Sequence, residues 1–190
     1  MMNKEKMVQK LKEKISDKRY EHSVGVSYTA ACMAMVYGAD VEAARTAGLL
    51  HDCAKGLSTK EKLEKARKYG LPVSKYEESN PEMLHAKLGA YYARYKFDIT
   101  DEDILNAITY HTTGRPNMSL LEKIIFIADY IEPNRKMIRD MEEIRKEAFS
   151  DIDMCLVHIL KNTIDYLETS SNDMDYMTKM TYDYYVTHND

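Results

Sequence analysis

Apolar residues recur three or four positions apart along almost the whole chain, and no stretch alternates apolar and polar as a half-buried strand would. Met7, Leu11 and Ile15 mark a first short helix, and a second runs from about residue 19 to 37, closed by Gly38. Asp40 caps a third, which carries "VEAARTAGLLHDCA" to Gly56. Ser58 with Glu61 is a capping box for a fourth, which Gly70 stops. The stretch "LPVSKYEESN", residues 71–80, reads as a loop. Asn80 and Pro81 are a cap and a first-turn proline, opening a fifth helix to about residue 95. Thr100 opens another that runs through His111, where Gly114 and Pro116 break the chain. Ser119 with Glu122 is a second capping box, starting "LLEKIIFIADYI", which Pro133 ends. Two more helices are expected at about 137–149 and 151–168, and the polar, Tyr-rich segment after Thr169 is expected to form a short helix or to fray. The pattern predicts an all-α protein: a single domain spanning residues 1–190, with no repeat and no low-complexity linker.

Composition narrows the function classes. The chain is 44% hydrophobic and 31% charged, with 7 Gly and 4 Pro in 190 residues, which favours long helices around one core. No apolar run approaches the length of a membrane span, and the first fifteen residues are charged throughout, so no membrane partner and a cytoplasmic location are expected. Cys32, Cys53 and Cys155 form no CxxC pair and suit reduced thiols; Cys53, beside Asp52, is the one with a conceivable ligand role. A net charge of −4 argues against nucleic acid as a partner. An anionic substrate must then meet a few local cations or a metal.

Polar residues fall where the core should be. His111 continues the stripe of Ile104 and Ile108; His85 shares a face with Leu88 and Tyr92; His22 shares one with Val26 and Met33. His51 follows Ala44, Ala47 and Gly48, small residues that let another backbone come close. Asp129 follows Leu121 and Ile125 on the most apolar helix of the chain. A lone histidine on an apolar face is usually a hydrogen-bonded core residue, and a lone aspartate is usually a cap or an ion-pair partner. Here four imidazoles and two carboxylates would all need such partners at once. One or two metal ions would satisfy them together. His158, aligned with Asp151, Lys161 and Asp165, and His188 in the tail need no such role.

The order His22, then His51–Asp52, then Asp129 is the signature of the HD-domain metal phosphohydrolases. The strings "RYEHSVGV", "AGLLHDCAKG", "HAKLGA" and "AITYHTTGRPNMSLLEKIIFIADYIEPNR" closely resemble the YqeK family within that superfamily, over about residues 19–135. The resemblance implies the HD helical bundle, with residues 136–190 as added C-terminal helices and tail. It implies symmetrical hydrolysis of diadenosine tetraphosphate and related dinucleoside polyphosphates to two nucleoside diphosphates. It also implies iron as cofactor, in a two-metal centre; ligand type alone equally admits manganese, cobalt or zinc. His22, His51, Asp52 and Asp129 map onto the core ligands. His85 and His111 map onto added histidines that complete a second metal site or contact phosphate.

Asp52 is the candidate to bridge two metals, and with Lys55 it is the catalytic assignment. Metal would generate hydroxide near neutral pH for in-line attack on phosphorus. Lys55, one turn past Asp52, and Arg135, beyond a Pro-Asn break, are the expected phosphate cations, with Arg19 and Arg115 as weaker ones. Thr112 and Thr113 offer hydroxyls beside His111. The expected substrate contacts are therefore His22, Asp52, Lys55, His85, His111, Thr112, Thr113, Asp129 and Arg135. A nucleotidase or deoxynucleotide triphosphohydrolase would use the same ligands. A nucleotide-binding module with a structural metal is disfavoured, because no cysteine cluster exists and the ligands exceed four. A homodimer through the Tyr- and Met-rich C-terminus is a further possible partner.

Overall fold

The computed structural model describes residues 3–169 and 173–188, so the first two residues, 170–172 and the last two of the tail lie outside the described residues. The elements are α1 (Lys4–Lys12), α2 (Asp17–Tyr37), α3 (Val41–Leu50), α4 (Thr59–Lys68), α5 (Lys75–Ser79), a 3-10 turn (Pro81–Met83), α6 (Leu84–Lys96), α7 (Glu102–Tyr110), α8 (Leu120–Ile131), α9 (Met141–Glu147), α10 (Ile152–Thr169) and α11 (Tyr176–Thr187). No strand occurs among the described residues, and the all-α expectation holds.

Local chemistry starts most of these helices where the sequence says. Ser16, Asp40, Ser58 and Ser119 each accept a backbone N–H of the first turn, and Ser58–Glu61 and Ser119–Glu122 form both halves of their capping boxes. The four helices α2, α3, α7 and α8 pack against one another around the site described below. The core of α8 is sealed: Ile124, Ile125, Ile127 and Ala128 are fully buried. Each isoleucine contributes roughly 1.5–3 kcal/mol, which offsets the cost of the polar groups gathered nearby. The small residues of α3 do what their size suggested. A Cβ on Gly48 would lie 2.8 Å from the Cα of Ser27, so α2 and α3 touch backbone to backbone there.

Three expectations need correction. The third helix stops at Leu50 rather than near Gly56, because the chain tightens: the amides of Cys53 and Lys55 donate to the carbonyls of Leu50 and Asp52, three residues back. The expected loop at 71–80 holds α5, five residues long, opened by a Ser74–Glu77 capping box. Residues 137–140 are not helical; Asp140 takes a left-handed φ of 59°, which delays α9 to Met141. For the tail, the helix is the one of the two expected outcomes observed over its described part. It forms α11, anchored on the 110–118 turn by a Met118 N–H donating to the Tyr185 hydroxyl at 2.8 Å, with the Thr181 hydroxyl shared between the Met177 carbonyl of its own helix at 2.7 Å and the Thr113 carbonyl at 3.2 Å.

Candidate metal centre

The six predicted ligands converge, although His22 and Asp129 are far apart in the chain. His22 comes from the second turn of α2, His51 and Asp52 from the tightened end of α3, and His85 from the first turn of α6. His111 is the residue that ends α7, and Asp129 lies in the last turn of α8. His22 Nε2 lies 2.9 Å from Asp129 Oδ1, and His51 Nε2 lies 3.6 Å from that same oxygen. Asp52 faces two ways. Its Oδ2 is 3.5 Å from His51 Nε2 and 3.9 Å from His22 Nε2, while its Oδ1 is 3.2 Å from His85 Nε2 and 3.7 Å from His111 Nε2.

Every one of the four imidazoles is held at its far nitrogen. The Nδ1 of His51, His85 and His111 meets the backbone carbonyl three residues earlier: Gly48 at 2.7 Å, Glu82 at 2.5 Å and Ile108 at 2.7 Å. His22 Nδ1 meets the Glu132 carboxylate at 3.0 Å. A proton fixed on Nδ1 leaves Nε2 as the ligating nitrogen. The atoms aimed inward are short of partners: His22 Nε2, His51 Nε2 and Asp52 Oδ1 are buried with no aligned hydrogen bond. His22, His51 and Asp129 form one set of ligand atoms within 4.8 Å of one another, and His51, Asp52 and His111 form a second. Buried polar atoms without partners are costly, and these donors fit a divalent metal: mixed imidazole and carboxylate, more than four, no thiolate.

The electrostatics agree. Burial works against charging His51, yet the carboxylates of Asp52 and Asp129 push it up to about 10, so this point attracts positive charge, whether proton or metal. Burial alone would raise Asp52 and Asp129, but the surrounding imidazoles hold both well below the usual carboxylate range. Burial pushes His85 down to about 4, leaving it neutral and available as a ligand.

The cations divide. Arg19 donates to Asp52 Oδ2 at 2.8 Å, and Arg135 donates to Asp129 Oδ1 at 2.5 Å and to the Asp129 carbonyl at 2.7 Å. Lys55 Nζ lies 3.3 Å from His85 Nδ1, and burial lowers its pKa. Arg115 does not join them: its Nε and Nη2 donate to the Glu122 carboxylate, at 2.7 and 2.9 Å, on the side of the α8 cap. Thr112 borders the cleft above the centre, whereas the Thr113 hydroxyl donates to the Gly114 carbonyl. Cys53 donates to the Gly89 carbonyl and points away from the ligands.

Glu132 is the site residue that sequence reasoning missed. It is 1% exposed, and besides holding His22 it accepts the Asn134 N–H at 2.8 Å. Its room comes from Gly25, where a Cβ would sit 2.4 Å from Glu132 Oε2. A glycine one turn after His22 was the available signal.

A cleft of about 860 Å³ opens over His22, His111 and Asp129. Lys18, Arg19, Arg135 and Lys136 supply positive charge along it, and Tyr76, Phe126 and Tyr130 supply ring faces. Its size is that of a small-molecule site. No helix among the described residues is long and apolar enough to cross a membrane.

Comparison with known proteins agrees with this geometry. The HD-domain family matches residues 19–134. The chain is 45% identical over 166 residues to a symmetrical bis(5'-nucleosyl)-tetraphosphatase of Halalkalibacterium halodurans, covering 87% of this chain and 88% of that one. It is 39% identical to the Bacillus subtilis protein of the same description, over 98% of this chain and 99% of the relative. Among solved structures, an HD superfamily hydrolase from Clostridium acetobutylicum, described as involved in NAD metabolism, superposes with a TM-score of 0.95 at 41% identity, over 98% of both chains.

Proposed function

Because the chain belongs to the HD-domain family of symmetrical bis(5'-nucleosyl)-tetraphosphatases, we infer that it is a metal-dependent hydrolase that cuts dinucleoside tetraphosphates, diadenosine tetraphosphate first among them, into two nucleoside diphosphates. The observation that carries this reading is Asp52, with one oxygen turned to His22 and His51 and the other to His85 and His111. A carboxylate so placed suits bridging of two metals, with iron the preferred pair and manganese, cobalt or zinc admitted by the same donors. When bound, such a pair supplies a water acidic enough to attack at neutral pH and positive charge for the phosphoryl oxygens.

The chain's own residues do the rest. His22, His51, Asp129 and the Asp52 Oδ2 would hold one ion; His85, His111 and the Asp52 Oδ1 would face the other. Symmetrical cleavage breaks the bond at the middle of a four-phosphate chain, so each half carries two phosphates and a nucleoside. The half departing as a diphosphate is a good leaving group and needs charge neutralisation more than a proton. Lys55, Arg135 and Arg19 stand at the ligand carboxylates and at His85, where those phosphates would pass. Thr112 and the rings of Tyr130, Phe126 and Tyr76 border the cleft that would take a nucleoside. A reducing, cytoplasmic setting suits the three free cysteines and an iron site.

Product analysis tests the reading. Anaerobically purified protein, its metal content measured, is given diadenosine tetraphosphate, ATP and AMP separately. ADP as the sole product of the dinucleotide is expected, with ATP and AMP left intact. AMP plus ATP from the dinucleotide, or turnover of the mononucleotides at a comparable rate, refutes it. Asp52→Ala is expected to fold and lose hydrolysis.

A further inference from the structure

Lys62 is among the largest fully buried side chains of the described residues, at 1% exposure, and the chemistry above does not use it. A lysine in a core is rare unless its charge is matched. Its ammonium carries three N–H donors and no acceptor. Three oxygens receive them: the Leu57 carbonyl at 2.6 Å, Glu82 Oε1 at 2.9 Å and the Lys55 carbonyl at 3.4 Å. A methionine of similar length would be buried at lower cost. What the ammonium adds is the ability to grip two separate segments at once.

Those segments are the ones that place the catalytic lysine. Lys55 and Leu57 belong to the tight turn that follows His51–Asp52, and Glu82 belongs to the 3-10 turn that precedes His85. The Glu82 carbonyl holds His85 Nδ1, and Lys55 Nζ lies 3.3 and 3.4 Å from the two nitrogens of that same ring. The contacts close a circuit: the Lys55 backbone to Lys62, Lys62 to the Glu82 carboxylate, the Glu82 backbone to His85, and His85 to the Lys55 ammonium. Besides Lys62, the turn and α6 are joined here by the Lys55–His85 contact, by His85 Nε2 at 3.2 Å from Asp52 Oδ1, and by the Cys53 thiol donating to the Gly89 carbonyl; of these, only the first involves the Lys55 ammonium. We propose that Lys62 is a positioning residue that fixes the Lys55 ammonium over His85 by clamping the turn after Asp52 to the turn before His85. The proposal rests on the reading of Lys55 as a phosphate-facing cation.

Crystal structures and steady-state kinetics of metal-loaded Lys62→Met, Lys55→Ala and the double variant test it. In K62M the Lys55 Nζ is expected to leave His85. The kcat/KM for diadenosine tetraphosphate is expected to fall on the order of 10- to 100-fold, the scale of a displaced catalytic group. In the K55A background K62M is expected to cost nothing more. Lys55 still seated beside His85 in the K62M crystal structure overturns the proposal. So do losses that multiply in the double variant, or a K62M matching the parent while K55A is impaired. K55A kinetics equal to the parent would refute the phosphate role of Lys55 by itself, and the K62M structure would still decide the positioning.

If K62M fails to fold, the Glu82 side chain, 55% exposed, lets the clamp be cut from its other end without opening the core. Glu82→Ala removes the third grip and is expected to lower kcat/KM. Glu82→Gln keeps an acceptor oxygen and is expected to stay near the parent. Equal kinetics for E82A and the parent would overturn the proposal.

Discussion

Replacing Glu132 by glutamine changes one charge and one donor set while keeping the side chain's shape, and the structure fixes the consequence. In the native chain Oε1 accepts from His22 Nδ1 at 3.0 Å and Oε2 accepts from the Asn134 N–H at 2.8 Å. A glutamine has a single oxygen. If it faces His22, its NH₂ opposes the Asn134 N–H, donor against donor. If it faces Asn134, its NH₂ meets His22 Nδ1 and forces the ring proton onto Nε2, the nitrogen that should ligate. The first orientation leaves buried donors unmatched, worth about 1–3 kcal/mol; the second satisfies them but places the His22 proton on Nε2, 2.9 Å from Asp129 Oδ1, where the metal should bind. Loss of the outer partner of a ligating histidine weakens metal affinity by about 10–100-fold. That corresponds to about 1.4–2.7 kcal/mol at 1.36 kcal/mol per tenfold, so two independent routes reach the same range. The assay is competition with a chromophoric chelator under anaerobic conditions at fixed pH, with melting curves of metal-free and loaded protein alongside. E132Q is expected to keep a folded, cooperative transition and to show a smaller metal-induced rise in Tm. A folded E132Q that binds iron or manganese within twofold of the parent would refute the role given to the carboxylate.

Other outcomes follow from the same geometry. His51 sits at about 10 in the metal-free protein because of Asp52 and Asp129, so a metal must displace its proton at neutral pH. Apparent metal affinity is therefore expected to rise about tenfold per pH unit from neutrality toward pH 10, and titration in buffers of different ionisation enthalpy reads the released proton. The pH dependence of metal-free stability has opposite signs for the two kinds of group. Asp52 and Asp129 are depressed, so their contribution is present above about pH 4 and lost as the pH falls below it; His51 is raised, so its contribution is full below about pH 6.5 and lost as the pH climbs through about 10. His85, held down to about 4 by burial, works against His51 inside that window: its contribution is full above about pH 6.5 and lost as the pH falls toward 4. Metal-free Tm should therefore be highest near pH 6.5, and a Tm that keeps rising from pH 7 to 10 would contradict the arrangement. Arg135→Met leaves every ligand in place and is expected to raise KM for diadenosine tetraphosphate several-fold with little change in bound metal, measured by kinetics beside elemental analysis.

The parts of this molecule that were legible in its sequence are those governed by local rules. Helix period gave α2, period with serine caps gave α4 and α8, and the sorting of histidines by apolar face separated the four that converge from His158, which instead pairs with Glu147 at 2.9 Å. What escaped depends on contacts between distant segments. Glu132, before a proline at a helix end, has the look of a solvated cap until α2 is laid against α8 and Gly25 makes room for it. Lys62 hides in "TKEKLEKARK", where a run of charges reads as an exposed face; only the two turns that surround it reveal that one of those charges points inward. Arg115 looked available for phosphate because its partner, Glu122, had already been assigned to the capping box, and one carboxylate serves both.

The ends of the helices explain why ligands so far apart in sequence can be held so rigidly. An α-helix leaves its last carbonyls without intrahelical partners. His51 is the residue that closes α3 and His111 the residue that closes α7, and each returns its Nδ1 to a carbonyl of its own last turn, Gly48 and Ile108. The bond that caps the helix is thus the bond that fixes the tautomer and aims Nε2 at the centre. Termination and ligation are one event, and the ring cannot turn away without reopening a helix end. His85 repeats the device at the entrance to α6, with the Glu82 carbonyl. His22 cannot use it, because it lies inside α2 where the carbonyls behind it are already bonded. It therefore needs a partner from another helix, and that requirement is what Glu132 meets. The dependence of this one ligand on a remote carboxylate makes the junction of α2 and α8 the place where folding and metal affinity are most tightly joined.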